Sequence, residues 1–241
     1  MNVLDRPTPE PTSVARYADG ETGVVDLFAP AGPSRGAVVL LHGGFWRAAY
    51  DRRHLRHLAA ALAATGLTVA LPEFRRVGDP GGGAPGTFDD TSRILREVPA
   101  LLGADPGDVV VAGHSAGGHL ALLAAARADR PPARVVSLAG VLDVAAAHRA
   151  RLSDGAVAAL LGTADPDPAV LAAIDPMRIA LPASEIVVVH GRSDEVVPAD
   201  YSIAYAARDD RIRLELLDAD HFDVIDPTTP AFATVAAAIR A

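Results

Sequence analysis

The chain has 241 residues, half of them hydrophobic but only 5% aromatic, and a formal net charge of −8. A single α/β domain of this size is ordinary, and its core must be built mainly from Ala, Val, Leu and Ile. The acidic balance, with no basic block clear of acidic residues, argues against a nucleic-acid partner, and the absence of cysteine excludes disulfides, thiolate catalysis and zinc–thiolate sites.

The first residues, with Pro7, Pro9 and Pro11 among polar neighbours, read as a loose arm over 1–20. They lack the basic and apolar regions of a secretory leader. No apolar run has the length of a bilayer span, so no membrane partner is expected and the cytoplasm is the expected location. Residues 21–241 then read as one domain. "GVVDLF" from Gly23 predicts a strand. "GAVVLL" from Gly36 predicts a strand buried on both faces of a parallel sheet, because it is wholly apolar. Leu55, Leu58 and Leu62 recur at helical spacing between a capping Asp51 and a stopping Gly66. Next come "LTVALP" as a strand, a helix over 89–102, "DVVVAG" as a strand, a helix over 115–128, and "RVVSLAG" as a strand. Residues 143–182 break the rhythm with two short Ala-rich helical stretches and no strand, and read as a cap-like insertion. The cycle resumes with "EIVVVHG", a helix over 198–209, "IRLELLD" and a closing helix over 230–241. Strand–helix alternation of this kind predicts an α/β fold with a mostly parallel central sheet and helices on both faces.

The chemistry gathers at strand ends. "GHSAG" places Ser115 between an apolar strand and a helix, the context that a nucleophile elbow requires. Serine needs a base, and the base needs an orienting acid. In the chain order that this elbow uses, Asp194 follows the strand "EIVVVHG", with Glu195 as its neighbouring competitor. His221 is the only histidine after Asp194, and Asp220 and Asp223 flank it where they could raise its pKa. An oxyanion hole needs the N–H after the nucleophile, from Ala116, and N–H groups from the loop after an early strand. "HGGFW" offers those of Gly44 and Phe45. Trp46, Phe88 and Phe222 are candidate pocket walls. His42 reads as organising its loop, His54 and His57 as solvated side chains on a polar helix face, and His114 and His119 as packing or hydrogen-bonding groups. No metal site is expected. The glycine-rich stretch from Gly78 lacks the ending of a phosphate loop and reads as a flexible rim loop. Arg47, Arg75 and Arg76 could pair a substrate carboxylate but read better as surface groups.

Together these pieces resemble the α/β-hydrolase superfamily over nearly the whole chain after about residue 20. "HGGFW", "GHSAGGHLA" and "HGRSDEVVP" look like hormone-sensitive-lipase-like esterases, with Phe45 where the strict esterase pattern has a third glycine. The aromatic–Trp pair, with "DHFDVID" around His221, is similar to the arylformamidases, which hydrolyse N-formylkynurenine. The resemblance implies a Ser115–Asp194–His221 triad, oxyanion donors at Gly44, Phe45 and Ala116, no cofactor, and a small acyl substrate. The alternative is a short-chain carboxylesterase. An acyltransferase and a non-catalytic binding module are further readings, whereas the aspartate-nucleophile hydrolases of the same fold are set aside by the serine at the elbow. A homodimer is compatible with the sequence.

Overall fold

A computed structural model describes residues 3–240; residues 1, 2 and 241, at the ends of the expected arm and closing helix, lie outside the described residues. The strands are β1 Ser13–Arg16, β2 Val24–Phe28, β3 Ala37–Leu41, β4 Thr68–Pro72, β5 Val110–His114, β6 Arg134–Leu138, β7 Glu185–Gly191 and β8 Ile212–Leu217. They form one sheet in the order β1-β2-β4-β3-β5-β6-β7-β8. The β1–β2 and β2–β4 pairs are antiparallel, and all pairs from β4 to β8 are parallel.

The apolar runs behave as strands covered on both faces. Val39 and Leu41 of β3 join one core cluster, and Val38 and Leu40 join the other, because successive side chains leave a strand on opposite sides. On the Leu41 side lie α2 (Gly86–Leu101), α3 (Ala116–Ala126) and α7 (Ala199–Ala206), which contribute Ile94, Leu120 and Tyr205. On the Leu40 side lie α1 (Arg56–Ala64) and α8 (Ala231–Ile239), with Leu58, Leu62 and Val235. Each fully buried Leu or Val of this kind contributes roughly 1.5–3 kcal/mol relative to exposure. Helix α3 is buried almost all round, as expected for a helix packed beneath other layers.

Three details depart from the sequence expectations. Asp51 caps a 3-10 turn, Arg52–Leu55, through Arg53 N (2.9 Å), and α1 begins only at Arg56. The segment 143–182 carries three short helices, α4 (Val144–Arg149), α5 (Leu152–Leu161) and α6 (Pro168–Ala172), where two were expected. The arm is not loose throughout. Residues 13–16 pair with β2, Val3 is buried, and Arg6 forms an ion pair with Asp226 at 2.6 Å. Strand β1 has mostly exposed side chains, so its sequence carries no apolar alternation that could mark it.

Candidate active site

The central parallel strands deliver their carboxyl ends to one edge of the sheet, where an open α/β sheet binds ligands. At the end of β5 the chain turns directly into α3 through Ser115, whose backbone sits at φ 55°, ψ −119°. A non-glycine residue held there costs of order 1–3 kcal/mol. The surroundings enforce it: Ser115 N donates to Leu138 O (2.9 Å), and its carbonyl accepts from Gly118 N (3.0 Å). Strand and helix approach so closely that a Cβ on Gly113 would lie 2.1 Å from Gly117 O, and one on Gly117 2.3 Å from Leu41 O. This is the physical reason for the two glycines that fence the serine. As the first residue of α3, Ala116 has its N–H at the open end of the helix.

Asp194 lies in the loop after β7, and His221 in the loop after β8. The register between these strands pairs Gly191 with Leu217, which brings the two loops together. His221 Nδ1 donates to Asp194 Oδ2 at 2.7 Å. Asp194 Oδ1 accepts from the backbone N–H groups of Val196 (2.8 Å) and Val197 (2.7 Å). Burial pushes its carboxyl upward, but hydrogen bonds from His190, His221 and Val197 N outweigh this and hold it well below the usual carboxylate range. Glu195, the competing acid, does not take this place. Asp220 and Asp223 turn to the backbone: Asp220 Oδ1 accepts from Phe222 N and Asp223 N, and Asp223 Oδ2 from Asp220 N.

With Nδ1 donating, Nε2 of His221 carries the lone pair. His221 and Ser115 line the same cavity, of about 370 Å³. Behind them His114 donates from Nε2 to the His221 carbonyl (2.9 Å), with ring centroids 4.6 Å apart. Burial, followed by the nearby His221 and His54, drives the His114 pKa well down. It is thus a neutral packing and hydrogen-bonding group.

The loop after β3 is the third component. Gly44, Phe45 and Trp46 all have positive φ (105°, 50° and 58°). A Cβ on Gly44 would also lie 2.4 Å from that of Tyr50, so only glycine fits. His42 anchors the loop, with Nδ1 2.8 Å from Gly43 O and Nε2 2.7 Å from Glu73 Oε1. Glu73 also accepts from Arg52 N (3.1 Å) and pairs with Arg76 at 3.1 Å. Against the upward push of burial, His42, Arg76 and the Arg52 N–H bring its pKa down to about 2.

Gly44, Phe45 and Phe222 line the cavity with Ser115. Trp46 and Phe88 do not; both are buried in the core, where Trp46 packs edge-on against His119. The left-handed turn at 44–46 points the Trp inward, and period alone could not show this. His54 is not a solvated surface side chain. It lines the cavity, donates from Nδ1 to Asp51 O (2.6 Å), and has its pKa lowered to about 4, first by burial and then by His42. His119 donates to Ile174 O (2.8 Å). Leu4, from the arm, and Val196 complete the apolar wall, whereas no residue of 143–182 lines the cavity. The three arginines are engaged elsewhere: Arg47 with Ser153, Arg75 with Asp90, and Arg76 with Glu73, Asp79 and Tyr50 O. Among the described residues no group of three or more metal-ligating side chains forms, and no helix is long and apolar enough to cross a membrane.

Comparison with known proteins agrees with this architecture. The chain is 33% identical to esterase LipU of Mycobacterium tuberculosis over 124 residues, which are 50% of this chain and 40% of that protein. It therefore spans less than half the length of the curated relatives that it matches. Among solved structures, an inhibited esterase B from Lactobacillus rhamnosis superposes with a TM-score of 0.78 at 22% identity, covering 97% of this chain and 86% of that one. A truncated carbohydrate esterase from gut microbiota gives 0.76 at 19% identity, covering 94% of both chains. At these identities the likeness carries the fold. The BD-FAE family model matches residues 25–208, a range that contains the Ser115 elbow, the 42–46 loop and Asp194, and the chain belongs to the BD-FAE family, on the α/β-hydrolase fold.

Proposed function

We propose that the chain is a serine hydrolase that cleaves small carboxylic esters through an acyl-enzyme, with Ser115 as nucleophile, His221 as general base and acid, and Asp194 as the orienting acid. The observation that carries this reading is the His221 Nδ1–Asp194 hydrogen bond of 2.7 Å, beside a cavity that His221 shares with Ser115 on its strained elbow. Ser115 Oγ attacks the acyl carbonyl and gives its proton to His221 Nε2. The oxyanion is received by the N–H of Ala116 and those of Gly44 or Phe45. Collapse expels the alcohol, which takes the proton from His221. Water then repeats the sequence on the acyl-serine and releases the acid.

A carboxylesterase fits the cavity better than an arylformamidase. N-formylkynurenine carries an amino-acid carboxylate, and recognising it calls for a free cation at the site. Arg47, Arg75 and Arg76 each have protein partners, and none of them lines the cavity, whose walls include Leu4, Phe45, Val196 and Phe222. The esterase names of the relatives and neighbours point the same way. The test compares kcat/KM for p-nitrophenyl acetate and butyrate with that for N-formylkynurenine, using Ser115→Ala as blank. The expected result is ester turnover that falls about 10⁴-fold or more in Ser115→Ala, with little formamide hydrolysis. A preference for the formamide would reverse the choice of substrate, and an active Ser115→Ala would refute the serine mechanism.

A further inference from the structure

A second imidazole reaches Asp194. His190, in β7, is fully buried, and its Nε2 lies 3.0 Å from Asp194 Oδ2, the same oxygen that receives His221. That nitrogen is also 3.0 Å from Val197 O. A carbonyl and a carboxylate both only accept, so Nε2 carries a proton and Nδ1 accepts from the Ser202 hydroxyl, 2.6 Å away on α7. Two imidazoles thus share one carboxylate oxygen: His221, which lines the cavity with Ser115, and His190, which is bonded to Ser202. Ser202 and His190 are both fully buried and neither lines the cavity, so this pair cannot meet a substrate.

We infer that the buried pair Ser202–His190 is a positioning device for the active site: it presents a fixed N–H to Asp194 Oδ2 and so sets both the orientation of that carboxylate and how strongly it pulls on His221. This rests on the proposed roles of Ser115, Asp194 and His221. Oδ1 is held by two backbone N–H groups, and without His190 the remaining oxygen would answer to His221 alone. It would then lose part of its fixed orientation toward the ring, and it would favour the imidazolium of His221 more strongly, so that less of the ring is free to accept a proton at acidic pH. The other charged or titratable groups on the cavity that His221 lines are His114 from the end of β5, and Tyr50, Asp51 and His54 from the loop and turn before α1. Asp220 and Asp223 of its own loop are bound to backbone N–H groups.

The experiment measures kcat, KM and the pH profile of ester hydrolysis for His190→Phe, His190→Gln, Ser202→Ala and Ser115→Ala, each with a thermal melt. In His190→Phe, kcat should fall about 10- to 100-fold, by analogy with the loss of a hydrogen-bond partner that orients a metal-binding side chain. KM should stay within about twofold, and the acidic limb of the profile should move to higher pH. His190→Gln, whose amide can donate toward Asp194 and accept from Ser202, should restore most of kcat and the limb. If His190→Phe does not fold, Ser202→Ala decides, because it only frees the tautomer of His190. It should move the same limb in the same direction. A folded His190→Phe with unchanged kcat and limb, a loss that His190→Gln does not restore, or an unmoved limb in Ser202→Ala each overturns the inference. Ser115→Ala separates the two levels: if it is inactive the hydrolase reading stands whatever His190 does, and if it is active both fall.

Discussion

Replacing Asp194 by Asn exchanges a carboxylate for an amide of the same shape in a place where every oxygen lone pair is used. Oδ1 accepts two backbone N–H groups at 2.8 and 2.7 Å, and Oδ2 accepts His221 Nδ1 at 2.7 Å and faces His190 Nε2 at 3.0 Å. If the amide oxygen stays with the backbone donors, its NH₂ meets two ring N–H groups, donor against donor. The simplest relief is for His221 to move its proton from Nδ1 to Nε2. The ring then turns a proton instead of a lone pair to the cavity, and the base that the proposed mechanism needs is lost. Wrong-tautomer variants of such triads lose about 10⁴-fold in kcat, which is about 5.5 kcal/mol of transition-state stabilisation. The fold loses less. Hydrogen bonds to a charged acceptor are worth ~1.5–3 kcal/mol each, and weakening two of them should cost on the order of 3 kcal/mol, or about 6–12 °C in Tm for a chain of this size. The assay is kcat for p-nitrophenyl acetate at 25 °C beside a melt followed by circular dichroism. A folded Asp194→Asn that keeps more than about a tenth of wild-type kcat, while Ser115→Ala is dead, would refute the reasoning.

Acid should weaken the fold in a defined window. His54 and His119 have pKa values lowered to about 4 from 6.5, chiefly by burial. Between those values the unfolded chain binds protons that the folded chain refuses, so stability is full above about 6.5 and falls as pH drops toward 4, by up to about 3 kcal/mol per group. Denaturant midpoints at pH 7.5 and 4.5 measure it, and equal midpoints would contradict it. Glu73, held to about 2 from 4.5, adds a further loss only below about 4.5. Gly117→Ala forces a Cβ within 2.3 Å of Leu41 O and 2.6 Å of His42 O, both backbone atoms, so a loss above about 3 kcal/mol is expected. The control Gly32→Ala, with nothing within 4 Å, should stay within about 0.5 kcal/mol; similar melts for the two would be the contrary result. Leu4→Ala removes an apolar wall of the cavity. It should raise the ratio of p-nitrophenyl octanoate to acetate turnover at least about threefold, since single methylenes in such walls are worth 1–3 kcal/mol; an unchanged ratio would remove Leu4 from the acyl site.

The parts legible in the sequence are those written in adjacent residues. Apolar runs such as "AVVLL" and "VVAGH" are buried at all but one position, Ala37, and they do form the central strands. The Ser115 elbow is equally local: the strained residue and its two glycines lie within five positions, and the reason for them is a backbone so close that a Cβ on either glycine would lie 2.1 or 2.3 Å from a carbonyl oxygen. Strand β1 was not legible, because a four-residue edge strand with exposed side chains has no apolar pattern. The aromatic walls were legible only in part: Phe222 lines the cavity as expected, but Trp46 and Phe88 are in the core. Trp46 and Phe45 are neighbours, yet one is in the core and the other on the cavity, divided by a left-handed turn.

By itself, then, the amino-acid order determined the alternation of strands and helices, the elbow, and which serine, acid and histidine stand at strand ends. Tertiary structure decided what those groups touch. It placed His190 and Ser202 behind Asp194, His54 and Leu4 on the cavity, and Arg75 and Arg76 on protein carboxylates instead of a substrate. The physical reason is range. Strand and elbow propensity act over a few bonds, whereas a hydrogen bond across 27 residues, as between Asp194 and His221, exists only once the register of β7 on β8 has brought two loops to the same edge of the sheet.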